Sequence, residues 1–213
     1  AEAKKQLFGF IGIDLPAGPS EVLVIANNKS NPSWIAYDVL AQGEHDPNAK
    51  TYVLAKNKNI LLKVKNELQR IMRETKLKNV DRSIKNNCYL ILAKSQKEIF
   101  EITNFIAPEH LHIHEKFNKN ILKNIINAGS VFLGEKSPVA LGDYTMGTNH
   151  VLPTDQTAKF SSGLGVEDYT KKTVFIKPGN KTLKKIAKPT INLARQEGLE
   201  AHALSVEIRK IKT

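Results

Sequence analysis

Five short apolar segments, separated by stretches of helical periodicity, constrain the fold of this chain more than any other feature. The segments are rich in Val, Ile and Leu, as in strands that are buried inside a parallel sheet. The predicted strands are residues 22–26, 51–55, 89–93, 111–114 and 130–133. Strands that alternate with helices predict an α/β fold with a mainly parallel sheet, in which sites form at the strand ends.

Four helices are predicted between these strands. Residues 59–76 show the clearest pattern, because apolar side chains recur there every three or four positions. Pro32 suits the first turn of a helix, and Asn31 before it is a favourable N-cap. The predicted helices are residues 32–42, 59–76, 97–106 and 117–128.

The end of the chain differs from the rest in its pattern. From Asn180 onward the residues are helical in periodicity, and Gly198 interrupts them. A chain of 213 residues can hold one or two domains. We therefore predict an α/β body over residues 1–172 and a small helical tail over residues 173–213.

The net charge of +11 would suit a nucleic-acid partner. However, the lysines are spread along predicted helical faces, and the chain lacks the basic and aromatic motifs that stack bases. No apolar run approaches the roughly 20 residues of a membrane span, and the N-terminus shows no apolar signal segment. We expect neither a nucleic-acid nor a membrane partner, and a cytoplasmic location.

Residues 142–154, with the sequence GDYTMGTNHVLPT, form the densest polar stretch of the chain. No amphipathic period fits it, and it combines an acid, a phenol, an amide and an imidazole with two glycines. Asp143 and His150 are side chains that can bind a metal or move protons. This stretch is therefore predicted to be a site loop.

Two further pairs of polar residues carry possible chemistry. Gln42 and His45 are three positions apart, so on a helical turn they share a face and could reach one cation. Glu109 and His110 are adjacent, after a proline, and could act as base and acid. Each pair alone is also typical of an ordinary surface or loop end.

The remaining histidines give weaker signals. His112 and His114 alternate with His110 along one face of a predicted strand, which would suit a metal site. A solvent-facing side of the strand gives the same alternation, and this is the interpretation we favour. Glu197 and His202 lie in the helical tail, where such a pair carries almost no signal by itself.

Taken together, these segments resemble the histidinol dehydrogenase family in their order and spacing. The matching segments are residues 17–26 (AGPSEVLVIA), 41–45 (AQGEH), 108–111 (PEHL), 128–134 (AGSVFLG), 142–144 (GDY) and 147–154 (GTNHVLPT). Residues 197–202 are similar to the C-terminal site segment of that family. The resemblance covers essentially the whole chain and implies a Rossmann-like sheet.

The resemblance implies two successive NAD-dependent oxidations, which convert L-histidinol to L-histidine through an enzyme-held aldehyde with one zinc ion. The implied zinc ligands are Gln42, His45, Asp143 and His202. Glu109 would activate the water that attacks the aldehyde, and His110 would accept protons from the alcohol and the hydrate. Zinc would mainly orient the imidazole and the amine of the substrate.

The resemblance also implies how the substrate is held. The contacts would come from the zinc ligands, from His110, and from Ser20, His150 and Glu197, with Glu197 facing the substrate ammonium. The family implies a homodimer with shared sites, in which the tail serves dimerisation. Glu197 and His202 would then belong to the site of the neighbouring subunit.

Three departures from the family pattern stand out. Gly43 replaces an expected alanine, and Met146 replaces a small residue and could crowd the pocket. The family's chain is about twice as long, and its N-terminal half carries most of the NAD site and part of the sheet. Residues 163–165 (GLG) lack the third glycine of a dinucleotide fingerprint. The cofactor-binding residues therefore stay unassigned.

The difference in length leaves three explanations open. The sequence is part of a longer protein, or a second chain supplies the N-terminal half, or it is a remnant that no longer catalyses. The alternative function is a non-catalytic zinc-binding or assembly fragment. A basic nucleic-acid-binding protein is a third hypothesis, favoured only by the net charge of +11.

Overall fold

The computed structural model describes residues 2–16, 18–75, 77, 80–114 and 119–211. The chain divides into two compact units, residues 1–170 and residues 171–213. Their roles as a zinc-site body and a dimerisation tail stay predictions. The predicted helix start at residue 117 and the predicted helix end at residue 76 lie outside the described residues.

One parallel sheet forms the centre of the first unit. Its strands are β1 (Glu21–Ala26), β2 (Lys50–Ala55), β3 (Cys88–Leu92), β4 (His110–Ile113) and β5 (Ser130–Leu133). All neighbouring pairs are parallel, and the order is β3-β2-β1-β4-β5. This is the order of a doubly wound, Rossmann-like sheet, and it confirms the predicted α/β class.

Most helices alternate with the strands. Over the described residues they are α1 (Glu2–Leu7), α2 (Pro32–Gly43), α3 (Lys58–Glu74), α4 (Val80–Asn87), α5 (Gln96–Ile106), α6 (Lys119–Asn124), α7 (Ala140–Tyr144), α8 (Asn180–Gln196) and α9 (Glu200–Ile211). None of these is long and apolar enough to cross a membrane. The sequence did not predict α1 and α4. The stretch predicted as a site loop begins inside α7, so its first residues are helical rather than irregular.

The two faces of the sheet bury separate apolar clusters. Val22 and Val24 of β1 pack on the face covered by α2, α3 and α4, while Leu23 and Ile25 pack on the face covered by α5 and α6. Each of these four side chains is at most 1% exposed. Burying one such side chain contributes about 1.5–3 kcal/mol, so the continuous apolar run of β1 is explained by burial on both faces.

Helix α2 is positioned by its first turn and by its buried face. The Asn31 side chain accepts hydrogen bonds from the N–H groups of Ser33 and Trp34, as the predicted N-cap should. Asp38 and Gln42, four positions apart, are both buried on the face toward the sheet. A helix between parallel strands runs opposite to them, so α2 ends at the edge where the strands begin.

The second unit is a helical hairpin. Ala187 and Ile191 of α8 pack against Ala203 of α9 in a small apolar cluster. Gly198 lies between the helices with a φ of 74°, a left-handed conformation that favours glycine. The interruption predicted at Gly198 is therefore a turn between two helices.

Candidate active site

The main chain of Glu21 holds both Glu109 and His110. The Glu21 N–H donates to Glu109 Oε2 at 2.9 Å, and His110 Nδ1 lies 3.2 Å from the Glu21 carbonyl oxygen. A carbonyl only accepts, so the Nδ1–H of His110 donates there and Nε2 keeps its lone pair. Nε2 lies 3.7 Å from Asp143 Oδ1. His110 is therefore oriented as a proton acceptor at Nε2.

Burial changes the acid–base properties of the pair. Glu109 is 6% exposed and His110 is 4% exposed. Burial raises the pKa of Glu109 to about 7, and the negative charges of Glu21 and Asp143 add to this shift. The hydrogen bond from the Glu21 N–H opposes it. Burial lowers the pKa of His110, although the Asp143 carboxylate opposes that shift. A neutral imidazole thus lies beside a carboxyl group that can exchange protons near neutral pH.

Three of the predicted metal ligands line one small pocket. Gln42, His45 and Asp143 contribute to a cavity of about 50 Å³ at the end of α2, beside Tyr144. Gln42 is buried, His45 is exposed, and the Asp143 side chain is 19% exposed. An amide oxygen, an imidazole nitrogen and a carboxylate oxygen are donors that suit zinc. We call this cavity the amino-edge pocket.

Asp143 connects the pocket to the acid–base pair, since it lines the pocket and faces His110 Nε2. His110 begins β4, and Glu21 begins β1. The arrangement therefore lies where the strands start. Most sites of doubly wound sheets lie at the opposite edge, outside the carboxyl ends of the strands.

Close backbone contacts hold this edge together. A Cβ on Gly129 would lie 2.6 Å from the Glu109 carbonyl oxygen, so only glycine fits beside the strand that carries the acid–base pair. The Gly18 N–H donates to Thr154 Oγ1 at 2.6 Å, which fastens the end of the polar stretch 142–154. Lys50 pairs with Asp155 at 2.6 Å and extends this fastening to β2.

The other predicted site residues are placed less closely. Ser20 is half-buried directly before β1, and its carbonyl oxygen accepts from the Lys50 N–H. His150 is exposed and does not line the amino-edge pocket. Glu197 and His202 are exposed residues of the second unit, and their participation stays a prediction. Met146 is 65% exposed and does not line the pocket either.

A second group of chemically active side chains was misjudged from the sequence. His112 is 0% exposed and His114 is 4% exposed, so the solvent-facing strand expected for them is wrong. Val24 pairs with His112 in the sheet register, which places the histidines on the face covered by α2. Asp38 of α2, which no motif singled out, lies against both. We call Asp38, His112 and His114 the buried cluster.

The buried cluster is tightly interacting. His112 Nδ1 lies 2.9 Å from Asp38 Oδ2, and the rings of His112 and His114 are 4.3 Å apart. Burial alone would raise the pKa of Asp38, but its interactions with the two imidazoles outweigh burial and hold that pKa below its ordinary value. The Asp38 carboxyl is thus kept ionised inside the protein.

The fold and the site together define an α/β protein of the doubly wound class, with a Glu–His pair beside a pocket of metal-type donors. A family model described as histidinol dehydrogenase matches residues 1–210. Histidinol dehydrogenase of Listeria monocytogenes is 43% identical over 210 residues, which are 98% of this chain and 49% of that protein. The Methanocaldococcus jannaschii protein of the same name is 44% identical, over 97% and 48% of the two chains.

A solved structure agrees with these sequence matches. The crystal structure of histidinol dehydrogenase from Elizabethkingia anophelis superposes with a TM-score of 0.86 at 35% identity, over 98% of this chain and 48% of that one. The chain belongs to the histidinol dehydrogenase family. It spans about half the length of the curated relatives it matches.

Proposed function

We propose that this chain supplies the zinc and acid–base part of an L-histidinol dehydrogenase, which oxidises L-histidinol to L-histidine through histidinal with NAD as the oxidant. The observation that carries the proposal is the position of Asp143, which joins the donor-lined pocket to His110 Nε2. Membership of the histidinol dehydrogenase family supports the same substrate.

Gln42, His45 and Asp143 would hold the zinc ion, with His202 as the fourth protein ligand. The shared pocket of the first three supports this set, while His202 rests on the resemblance alone. Bound zinc would supply a fixed positive charge that orients the imidazole and the amine of the substrate. Ser20, His150 and Glu197 complete the proposed substrate contacts.

His110 is the proposed proton acceptor in both oxidations. Its lowered pKa keeps the imidazole neutral, and its Nδ1–H is held by the Glu21 carbonyl, so Nε2 is free to take the hydroxyl proton of the alcohol. Glu109, with a pKa raised to about 7, takes a proton from the water that attacks the aldehyde. As water adds, His110 returns its first proton to the aldehyde oxygen, so the imidazole is neutral again when it accepts the hydroxyl proton of the hydrate. Each of the two oxidations transfers one hydride to its own NAD molecule.

The glycine pair at residues 163 and 165 does not fit a dinucleotide. Gly163 and Gly165 lie in a loop followed by a short 3-10 turn, rather than between a strand and an α-helix. We therefore assign most NAD contacts to the half of the relatives that this chain does not cover. That half would be joined to this one or supplied by a separate chain.

Association with a partner is part of the proposal. Val174, Phe175 and Ile176, three consecutive residues of the second unit, are 80%, 91% and 85% exposed. Apolar side chains grouped in this way are typical of interaction surfaces. They support a homodimer in which the second unit serves the interface, in a cytoplasmic enzyme without nucleic-acid or membrane partners.

A non-catalytic zinc-binding or assembly fragment is the second candidate, since the chain spans only 49% of the Listeria monocytogenes protein. Absorbance of NADH formed from L-histidinol separates the two. We expect no turnover by the 213-residue chain alone and turnover after addition of the N-terminal half of a full-length relative. Strong turnover by the chain alone contradicts the assignment of the NAD site to the other half, and none with both halves favours the fragment.

The fourth zinc ligand has its own test. His202→Ala should lower the zinc content of the assembled protein, measured by elemental analysis after dialysis, because one of four ligands is lost. Unchanged zinc content would remove His202 from the ligand set. The intact mass of the natural protein would show whether a further stretch is joined to Ala1.

A further inference from the structure

The buried cluster brings three metal-type donors together in the interior of the first unit. One ligand atom from each of Asp38, His112 and His114 lies within 4.8 Å of the other two. The three residues are 9%, 0% and 4% exposed. Charged or polar groups at this depth need partners, so the contacts of each ring nitrogen decide what the cluster can hold.

His112 requires a positive ion between itself and Asp38. Its Nε2 lies 2.9 Å from the Gly134 carbonyl oxygen, and a carbonyl only accepts, so Nε2 carries a hydrogen. Its Nδ1 lies 2.9 Å from Asp38 Oδ2, which as a carboxylate also only accepts. Two lone pairs would repel at this distance. Either a second proton or a metal ion must therefore lie between them.

His114 distinguishes the proton from the metal. Within the described part of the chain, neither of its ring nitrogens has a hydrogen-bond partner, and both are buried. Its Nε2 lies 3.9 Å from Asp38 Oδ2, which is too long for a hydrogen bond. A proton shared by Asp38 and His112 leaves this imidazole unsatisfied, which costs about 1–3 kcal/mol. A metal ion would engage all three side chains.

We propose that Asp38, His112 and His114 bind a divalent transition-metal ion of the zinc class, at a second site that shares only the lining residue Asp38 with the amino-edge pocket. Tetrahedral zinc with ligands at about 2.0–2.1 Å places ligand atoms roughly 3.3 Å apart. The separations of 2.9 Å and 3.9 Å lie on either side of that value, so small side-chain shifts suffice. The bond from His112 Nε2 to Gly134 is the outer contact that metal-binding histidines usually make.

The surroundings allow an ion and a fourth ligand to reach the cluster. Asp38 lines a cavity of about 310 Å³ together with Trp34, Tyr37 and Glu135, so one side of the cluster meets solvent. A water molecule from this cavity would complete the coordination. Gly134, with a φ of 88°, adopts a left-handed conformation that favours glycine, and this turns its carbonyl toward His112.

Cobalt(II) binding by the 213-residue chain tests the proposal. The substitutions His45→Ala and Asp143→Ala first remove two donors of the amino-edge pocket, so that the proposed function and this site are judged separately. We expect this background chain to bind one Co²⁺, with the intense visible absorption of tetrahedral cobalt. Adding His114→Ala should weaken Co²⁺ binding by more than about 100-fold. Loss of an outer contact weakens metal binding by up to about 100-fold, and loss of a direct ligand should cost more.

A second pair of variants guards against misfolding. In the same background, Asp38→Asn keeps the side-chain shape but removes the charge, and it should also abolish the cobalt spectrum. Asp81→Asn, an exposed aspartate of α4, should leave the spectrum unchanged. Far-UV circular dichroism confirms that each chain is folded. A folded background chain that binds no Co²⁺, or unchanged binding in the Asp38→Asn chain, overturns the proposal and leaves a proton between Asp38 and His112.

Discussion

The amino-edge pocket, taken together with the neighbouring His110, shares the elements α2 and β4 with the buried cluster, at successive levels. Gln42 and His110 lie at the edge of the first unit, on α2 and β4, and Asp38 and His112 lie one step inside on the same elements. Four helical residues advance about 6 Å, and two strand residues advance about 6.6 Å, so the two steps match. One helix–strand contact therefore serves both groups of donors.

The two regions differ in how their donors are satisfied. His45 of the pocket is exposed, and Gln42 and Asp143 line an opening in which a substrate could complete the coordination. The donors of the buried cluster face each other, and Asp38 among them borders both the larger solvent cavity and the amino-edge pocket. The cluster is therefore the more buried of the two regions, but its three protein donors and the proposed water also leave one exchangeable position.

The largest effect is expected from Glu109→Gln in the assembled enzyme. Without a carboxylate to activate water, oxidation of the aldehyde should slow by about 10²–10⁴-fold, while oxidation of the alcohol should lose less. Single-turnover assays that start from each substrate measure the two steps. Glu101→Gln, on the exposed face of α5, is the matched control. Equal losses in both steps would count against the water-activating role.

The next largest effect concerns the cluster. Asp38→Ala leaves two buried imidazoles without their carboxylate, and breaking a buried ion pair costs about 3–5 kcal/mol. Urea unfolding of the metal-free chain measures the change in the free energy of unfolding. Asp81→Ala should stay within about 0.5 kcal/mol, because it is a surface substitution. Asp143→Ala should lower the free energy of unfolding by less than Asp38→Ala does. The reverse order would show that the pocket contributes more to stability than the buried cluster.

The pH dependence of stability isolates Glu109. Its pKa is raised from 4.5 to about 7 in the folded chain, so folding favours the protonated form. The stability from this shift is complete below pH 4.5 and is lost as the pH rises through about 7. The loss amounts to about 3 kcal/mol, from roughly two and a half pKa units.

Unfolding free energies across this pH range, for the wild-type chain and for Glu109→Gln, give the measurement. The free energy of unfolding of the wild type minus that of Glu109→Gln should fall with rising pH, because only the wild type loses the Glu109 contribution. The other titrating groups, including His110, are common to both chains. In Glu101→Gln the pH profile should match the wild type. A difference that does not change with pH would show that burial leaves the Glu109 carboxyl unshifted.

The smallest effect tests the support of the pocket edge. Gly129→Ala would place a Cβ 2.6 Å from the Glu109 carbonyl oxygen and 3.2 Å from Pro153 Cδ, so the backbone must move. We expect a loss of about 1–3 kcal/mol, as for other overpacked sites. Gly12→Ala, which meets no atom within 4 Å, is the control. Equal thermal midpoints for the two variants would indicate that the backbone at Gly129 and Glu109 moves apart without loss of stability.

The sequence predicted the sheet because β1 is buried on both faces and therefore reads as a continuous apolar run. It missed α4, which is only eight residues long and buries only Val80 and Ser83. The strand order could not be read either, since β1 and β4 become neighbours only through a crossover.

The candidate site was only partly visible for a similar reason. Gln42 and His45 were found through their spacing on one helical turn, and the structure places both on the amino-edge pocket. His112 looked like a surface residue because its partner, Asp38, is 74 positions away in the chain. Sequence spacing reports contacts within one element, whereas a contact between α2 and β4 depends on the fold.

The acid–base pair is held by the peptide groups of Glu21 rather than by its side chain. Most substitutions at residue 21 leave that N–H and that carbonyl in place, so side-chain mutagenesis would not reveal that these two groups orient Glu109 and His110. The contact depends instead on the alignment of β1 with β4, where Val22 pairs with His110. A slip of one residue between these strands would separate Glu109 and His110 from their anchor, so correct strand alignment is itself a condition for the proposed activity.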